Sequence, residues 1–254
     1  MVVQTMKLVI NADDFGRDAE VNKAIAESFA KGYINQTTLM VNMPQCEAAV
    51  ELARQNGFAD KVGLHLNFTR GVPLTEAIRN CRECCDENGV FRTGSFAMGW
   101  RPLEKRLANA VAAETRAQVE RYLFFNLPLM HCDGHHHVHN RLQLAYVVLP
   151  ILKEYGFRSV RNRYTSLVKF PRGIKAKAKN AMFARLVKKY GFETTQFFGG
   201  WDGEGVSGGV EAFKGFETVE IMVHPNYNAD GMLVDVKDWA NTDGPALKKM
   251  VELL

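Results

Sequence analysis

Apolar residues recur along the chain with two periods, one typical of strands and one typical of helices. Short β-rich runs lie at residues 6–11, 37–42, 62–68, 130–132, 159–163 and 219–223. Apolar positions spaced three and four residues apart predict helices at 18–31, 46–55, 103–126 and 142–155, a basic helix within 169–189, and one or two helices in 237–254. Because strands and helices alternate, we expect an α/β fold of mostly parallel strands with helical crossovers.

The shape of the sheet follows less directly from this alternation. A closed or nearly closed, TIM-barrel-like (β/α) barrel is the leading interpretation, and an open doubly wound sheet fits the same periodicity. Residues 69–102 lack a clear period and contain Gly, Pro, Cys and Trp, which is typical of a lid or binding loop. Since no repeat or linker interrupts the pattern, we expect a single domain over 1–254.

Composition and charge narrow the class of protein. The chain has 254 residues, of which 46% are hydrophobic and 24% charged, as in ordinary globular proteins. The net charge of +4 gives no reason to expect a nucleic-acid or membrane partner. The longest apolar runs, such as 145–152, fall far short of the roughly 20 residues of a membrane span. The first residues read as a strand and not as a signal peptide, so we expect a cytoplasmic protein.

The five cysteines do not predict a disulfide framework, since their number is odd and no secretion signal precedes them. The "CRECC" segment at 81–85 contains a Cys-x-x-Cys spacing, which is half of a zinc site. No second Cys-x-x-Cys follows it, so reduced thiols are the favoured interpretation.

Polar side chains with catalytic potential follow several of the predicted strands. They are Asp13, Asp14, His65, Arg161 and His224. In parallel α/β folds the carboxyl ends of the strands meet at one edge, so these residues should converge on one pocket. Taken singly, the aspartate pair also fits a turn or helix cap, and His65 fits a hydrogen-bonded core histidine.

The segment "HCDGHHHVH" at 131–139 holds five of the seven histidines. If it is extended, His135, His137 and His139 share one face; if it is helical, His135 and His139 pair at i, i+4. Either geometry can present imidazoles to a divalent metal, with Asp133 placed to orient one of them. One Asp and two His ligands would leave positions open for water and substrate, a second carboxylate could act as general base, and another histidine could protonate the leaving group.

Several segments together resemble the YdjC-like carbohydrate deacetylase family. They are "NADDFG", "TTLMVN", "GLHLN" followed by "GVPL", "HCDGHHHVH" and "EIMVHP", in that order from about residue 6 to 226. The resemblance implies a distorted β/α barrel, a divalent metal, and removal of acetyl groups from N-acetylglucosamine units of chitooligosaccharides. It also implies a small oligosaccharide as partner and allows a homodimer.

The resemblance further implies roles for individual residues. The metal ligands would be Asp14, His65 and His135. Asp13 would be the general base and His224 the general acid, while Arg161 would pair with Asp13 or contact substrate. His137 and His139 would line the sugar pocket. The nitrogen-rich ligand set suits Zn²⁺, and the resemblance leaves Mg²⁺ as an alternative.

Two other functions stay open at this point. A metal-dependent phosphoesterase also uses Asp/His sites, and the lysines in 169–189 would suit a phosphate, although a solvated helix face explains them as well. A sugar- or metal-binding protein without turnover is the alternative outside the enzymes.

Overall fold

A seven-stranded parallel sheet forms the centre of the protein. The structure is a computed structural model that describes residues 6–94, 102–163, 174–200, 213, 215–236 and 246–248. The strands of the sheet are β1 (Lys7–Phe15), β2 (Gln36–Leu39), β3 (Val62–Leu66), β4 (His131–Gly134), β5 (Ser159–Val160), β6 (Phe197–Gly200) and β7 (Thr218–Val223). They lie in the order β5-β4-β3-β2-β1-β7-β6. A separate antiparallel ribbon pairs β8 (Pro225–Tyr227) with β9 (Leu233–Asp235).

Helices connect the strands. They are α1 (Ala19–Ala30), α2 (Cys46–Gln55), α3 (Glu76–Arg79), α4 (Lys105–Phe124), α5 (Leu142–Glu154) and α6 (Ile174–Tyr190), with short 3₁₀ turns at Ala59–Lys61 and His135–Asn140. The start of α1 shows how local chemistry sets a boundary, because the Asp18 side chain accepts a hydrogen bond from the Val21 backbone N–H at 2.9 Å. Within the described ranges, none of the helices combines the length and the hydropathy needed to cross a lipid bilayer.

The sheet curls so far that its two edges approach each other. From β5 back to β1 the strands follow chain order, and β7 and β6 continue on the other side of β1. A parallel bridge then joins Ser159, at the start of β5, to Glu193, just before β6. The Val160 N–H donates to the Glu193 carbonyl at 3.0 Å, and the Glu193 N–H donates to the Arg158 carbonyl at 2.9 Å. The distorted barrel is therefore confirmed, and the open doubly wound sheet is not.

Burial follows from this architecture. Every residue of β3 and β4 is buried, as expected for parallel strands enclosed by helices on one face and by the curled sheet on the other. Apolar side chains such as Val21, Ile25 and Leu149 fill the layer between sheet and helices. Buried polar side chains, by contrast, gather inside the curl of the sheet, where Asn11, His65 and Arg161 are fully buried.

The predicted helices before residue 160 agree with the structure to within two residues at each end. The predicted end of the first strand was wrong: β1 runs through the polar residues to Phe15. The short strands β6, β8 and β9 were not predicted, and α3 lies inside the stretch 69–102 that was predicted as loop. Residues 95–101 of that loop, part of the basic stretch 169–189, and most of the predicted helical tail 237–254 lie outside the described residues.

Candidate active site

Three buried side chains meet where β1, β3 and β4 end. Oδ1 of Asp14 lies 2.8 Å from Nδ1 of His135 and 3.1 Å from Nε2 of His65. Burial disfavours charge on Asp14, but His135 and His65 outweigh it and hold the pKa of this carboxyl well below its usual value. Asp14 is therefore an ionised carboxylate set between two imidazoles.

The backbone at Asp14 explains why two consecutive carboxylates serve one site. Neighbouring side chains of a regular strand point to opposite faces. Asp14 instead has a φ of 70°, in the left-handed region that non-glycine residues seldom adopt, and the pairing of β1 with β2 is irregular between Ala12 and Phe15. This turn lets Asp13 and Asp14 both contact the buried polar cluster, and the strain it stores is typical of functional sites.

Asp133 fixes the orientation of His65. Its Oδ1 accepts a hydrogen bond from Nδ1 of His65 at 2.7 Å, and its Oδ2 accepts one from the Thr38 hydroxyl at 3.0 Å. Nε2 of His65 is thereby directed at Asp14. Burial alone would lower the pKa of His65, but Asp133 and Asp14 outweigh it and raise the pKa to about 10. A cation bound at Nε2 would displace this proton, since imidazole binds metals in its neutral form.

The donor atoms of this group fit a metal ion. Asp14 Oδ2 and His135 Nε2 are buried and have no hydrogen-bond partner in the part of the chain that the structure describes. His65 Nε2 is also buried, and its nearest partner is Asp14 Oδ1 at 3.1 Å, without the geometry of a hydrogen bond. Buried polar atoms are normally paired, so buried atoms without a hydrogen bond on three neighbouring residues are consistent with a ligand-binding site. The three residues present ligand atoms within 4.8 Å of one another, and one carboxylate with two imidazoles is a common donor set for divalent transition metals. Asp14, His65 and His135 are thus a candidate metal centre.

Arg161, directly after β5, crosses the interior of the curled sheet to reach Asp13. Its Nη1 and Nη2 donate to the two carboxylate oxygens of Asp13 at 2.7 and 2.6 Å. Nη2 also lies 2.7 Å from Oδ2 of Asp133, and Nε donates to Oε1 of Glu220 at 2.6 Å. The guanidinium carbon lies 4.8 Å from the ring centroid of Phe198. Arg161 therefore pairs with Asp13, which is one of the two roles considered for it.

The histidine segment adopts neither of the regular conformations expected for it. Residues His135–Asn140 form a short 3₁₀ turn in which His136 and His137 have φ values of 52° and 54°. The ring of His136 lies against that of His135, tilted by 31° with ring centroids 4.1 Å apart, and its Nδ1 lies 3.0 Å from the Thr69 hydroxyl. His137 meets the ring of Phe198 edge-on at 5.5 Å. The left-handed turn sends successive histidines in different directions, so they do not share one face.

His139 lies deeper, behind Arg161. It is fully buried, and its Nε2 lies 3.1 Å from the Arg161 carbonyl oxygen. The tight approach of strand and turn requires Gly134, because a Cβ there would lie 2.8 Å from the Leu66 carbonyl oxygen and 3.2 Å from Nδ1 of His139. The glycine within the histidine segment is thus a packing requirement.

His224 directly follows β7 and lies near the charges of Asp13 and Asp14. Its backbone N–H donates to Oδ1 of Asp235 at 2.6 Å, and its Nδ1 lies 3.8 Å from the same oxygen. Burial would lower the pKa of His224, but Asp235 and the nearby charges of Asp13 and Asp14 outweigh burial and raise it. Its imidazole therefore holds a proton more readily than a free histidine does.

Comparison with known proteins places the chain in a family. Residues 7–252 match the profile of the family described as "YdjC-like protein". The chain belongs to the YdjC-like family. A protein of Vibrio cholerae named carbohydrate deacetylase is 42% identical to this YdjC-like chain over 151 residues, which are 59% of this chain and 56% of that protein. The matched stretch therefore spans little more than half of that relative.

Two other proteins extend the comparison. A Brevibacillus brevis protein named carbohydrate deacetylase is 32% identical over 228 residues, which are 90% of this YdjC-like chain and 84% of that protein. A crystal structure from Enterococcus faecalis, of a protein whose suggested role is cellobiose-phosphate cleavage, has a TM-score of 0.68 at 24% identity. It covers 98% of this chain and 90% of that one, and it shows the same fold.

Sequence reasoning missed two carboxylates of this YdjC-like site. Glu220 could have been found from the sequence, since it is the one acidic residue in the apolar run "VEIMV" of β7, and a buried carboxylate needs a polar partner. Asp235 could not have been found in this way, because only the pairing of Pro225 with Asp235 in the β8–β9 ribbon brings its side chain to His224.

Proposed function

We propose that this protein is a metal-dependent carbohydrate deacetylase that hydrolyses the N-acetyl group of an amino sugar of the chitooligosaccharide type and releases acetate. Two relatives named carbohydrate deacetylase support the activity. The observation that carries the proposal is the unpaired set of buried donor atoms on Asp14, His65 and His135, close to the Asp13–Arg161 pair.

Asp14, His65 and His135 would hold the ion. Two imidazoles and one carboxylate suit Zn²⁺, and Mg²⁺, which prefers oxygen ligands, is the alternative. When bound, a divalent ion at this position polarises the amide carbonyl and the attacking water and offsets the negative charge that develops on oxygen. Asp133 supports this centre by fixing the ring of His65.

Asp13 is the proposed general base. It accepts a proton from the attacking water while the new C–O bond forms at the acetyl carbon. Arg161 holds both of its oxygens, so the carboxylate cannot rotate away from the reaction. Asn11 donates a further hydrogen bond to Oδ1 of Asp13 at 2.8 Å.

His224 is the proposed general acid. The amine nitrogen leaves as the C–N bond breaks, and the protonated imidazole supplies the proton that this nitrogen needs. The raised pKa of His224 keeps that proton available near neutral pH. The products are acetate and the free amino sugar.

The sugar-binding residues form the remaining part of the proposal. His137 is partly exposed beside Phe198, and we place it in the sugar pocket. His139, which the sequence also assigned to this pocket, is fully buried, with Nε2 3.1 Å from the Arg161 carbonyl oxygen. We therefore propose that it supports the backbone of Arg161 behind the pocket. A cytoplasmic location and a homodimer stay predictions of the sequence.

An acetate-release assay on N-acetylglucosamine oligomers tests the proposal. We expect acetate in step with free amine from the metal-loaded protein, loss of release after chelation, and recovery when Zn²⁺ or Mg²⁺ is restored. A parallel arm with a phosphorylated sugar measures phosphate release. Phosphate release without acetate release would show that the protein is a phosphoesterase. Sugar binding without either product would indicate a binding protein without turnover.

A further inference from the structure

A cavity of about 390 Å³ opens at the end of the sheet opposite the candidate metal ligands. The first residues of five strands line it, namely Lys7, Gln36, His131, Ser159 and Thr218. Glu220 of β7 also lines it. Glu220 is in register with Val9, four residues before Asp13 on β1, so it lies between this lower cavity and the active site.

Glu220 has one strong partner in this position. Its Oε1 accepts the hydrogen bond from Nε of Arg161 at 2.6 Å, and its side chain is 2% exposed. The other edge of the same guanidinium faces Asp13 and Asp133. Within the described chain, Glu220 thus supplies the hydrogen bond that directs the Nε edge of Arg161.

Charge balance does not explain this third carboxylate. One guanidinium carries a single positive charge, and Asp13 and Asp133 already exceed it. A further buried carboxylate costs free energy, and an apolar residue at that point of β7 would fit the strand pattern. Burial raises the pKa of Glu220 to about 7 against the opposing effect of Arg161, which shows how poorly the site tolerates this charge. Glu220 instead fixes the orientation of the Arg161 side chain through the hydrogen bond that it accepts from Nε.

We propose that Glu220 is a positioning residue for the deacetylation: it anchors Nε of Arg161 so that both amino groups engage Asp13, and the lower cavity leaves this anchor reachable from the end of the sheet opposite the metal ligands. The inference rests on the proposed function.

A second buried titratable side chain, His131, lines the lower cavity and does not compete with Glu220 for Arg161. Nδ1 of His131 lies 2.9 Å from the Ser159 hydroxyl, and its Nε2 is buried without a hydrogen-bond partner among the described residues. Burial lowers the pKa of His131 to about 4, so its ring is neutral and leaves the Glu220 carboxyl to Arg161. His131 and Glu220 offer polar atoms within 4.8 Å of each other, a span that a cavity water can bridge.

Steady-state kinetics of metal-loaded E220A and E220Q, beside the parent, test the proposal. A misplaced catalytic group costs about 100-fold in rate, so we expect E220A to lose about 100-fold in kcat while KM and metal stoichiometry stay at parent values. E220Q keeps an acceptor oxygen for Nε and should stay within about tenfold of the parent. E193A removes an exposed carboxylate from the same cavity without touching Arg161, so it should match the parent.

Chemical rescue tests access through the lower cavity. Formate should raise the kcat of E220A by at least about tenfold, because it can enter the lower cavity and accept the hydrogen bond from Nε of Arg161. It should leave the parent and E193A unchanged. Formate is preferred to acetate, which is a product of the proposed reaction. Absence of rescue in a folded E220A would overturn the access through the lower cavity.

The outcomes separate the two proposals. If the parent releases no acetate, the proposed function fails. If the parent is active and E220A has the same kcat, the positioning role is wrong. It is also wrong if E220A loses its metal, or if its KM rises while its kcat is unchanged. If E220A does not fold, E220D decides: withdrawing the oxygen by one methylene should lower kcat well below that of E220Q, and equal kcat values for parent, E220D and E220Q would overturn the inference.

Discussion

Asp13 and Arg161 stand 148 residues apart in the sequence and form a buried ion pair with two hydrogen bonds of 2.6 and 2.7 Å. The pair exists because the sheet curls until the end of β5 faces β1 across its interior. The proposed chemistry therefore depends on the fold, since Arg161, which holds the proposed base Asp13, comes from the far edge of the sheet.

Replacing Asp13 by Asn should separate metal binding from catalysis. The amide cannot accept the proton of the attacking water, and removal of a general base costs about 10²- to 10⁴-fold in rate. Asp14, His65 and His135 are unchanged, so metal stoichiometry by atomic absorption should match the parent. Turnover equal to that of the parent would show that another group is the base.

Replacing Arg161 by Met should destabilise the fold. It leaves Asp13 and Glu220 buried without their cation, while Asp133 keeps its ion pair with His65, and breaking a buried pair of this kind costs about 3–5 kcal/mol. Urea unfolding at constant metal concentration measures the loss. The control R158M alters an exposed arginine at the lower cavity and should change the free energy of unfolding by less than about 0.5 kcal/mol. Equal stability of the two variants would contradict the charge network described here.

Replacing Asp235 by Asn should shift the pH profile of the reaction. The Asp235 carboxylate raises the pKa of His224, and its loss lowers that pKa. If His224 is the general acid, as proposed, it acts in its protonated form, and the alkaline limb of kcat/KM should move to lower pH. The amide oxygen of Asn can still accept the His224 N–H, so the backbone stays in place. D230N, at an exposed position of the same ribbon, should leave the limb unmoved; an unmoved limb in D235N would remove His224 from the acid role.

The free energy of unfolding should depend on pH through the titration of Glu220. Its pKa rises from 4.5 to about 7 on folding, so the folded state binds this proton more tightly than the unfolded state does. The resulting stability is present below about pH 4.5 and is lost as the pH rises through about 7. Relative to E220Q, which does not titrate there, the parent should lose up to about 3 kcal/mol over this interval. Parallel curves of unfolding free energy against pH would contradict the raised pKa.

Helices and the convergence of strand ends could be predicted from the sequence because both rest on local periodicity and on the geometry of parallel sheets. The helix at Cys46–Gln55 has the predicted bounds, and Asp14, His65 and His135 do meet at one edge. The strand Phe197–Gly200 escaped prediction because four residues ending in two glycines carry no period.

The finer geometry of the site depends on relations that no local pattern encodes. The left-handed backbone of Asp14, His136 and His137 is set by tertiary packing; Asp and His adopt this region more often than most non-glycine residues, but their sequence does not show where they will do so. The reach of Arg161 to Asp13 requires the curl of the whole sheet, and the approach of Asp235 to His224 requires the pairing of β8 with β9.

Diffraction from crystals soaked in Zn²⁺, recorded at the zinc absorption edge, tests the central claim most directly. We predict one strong anomalous peak within coordination reach of Asp14, His65 and His135, with Asp13 and Arg161 still paired beside it, and loss of that peak in D14N crystals. An ion bound elsewhere, with these three side chains too far apart to share one, would contradict the account.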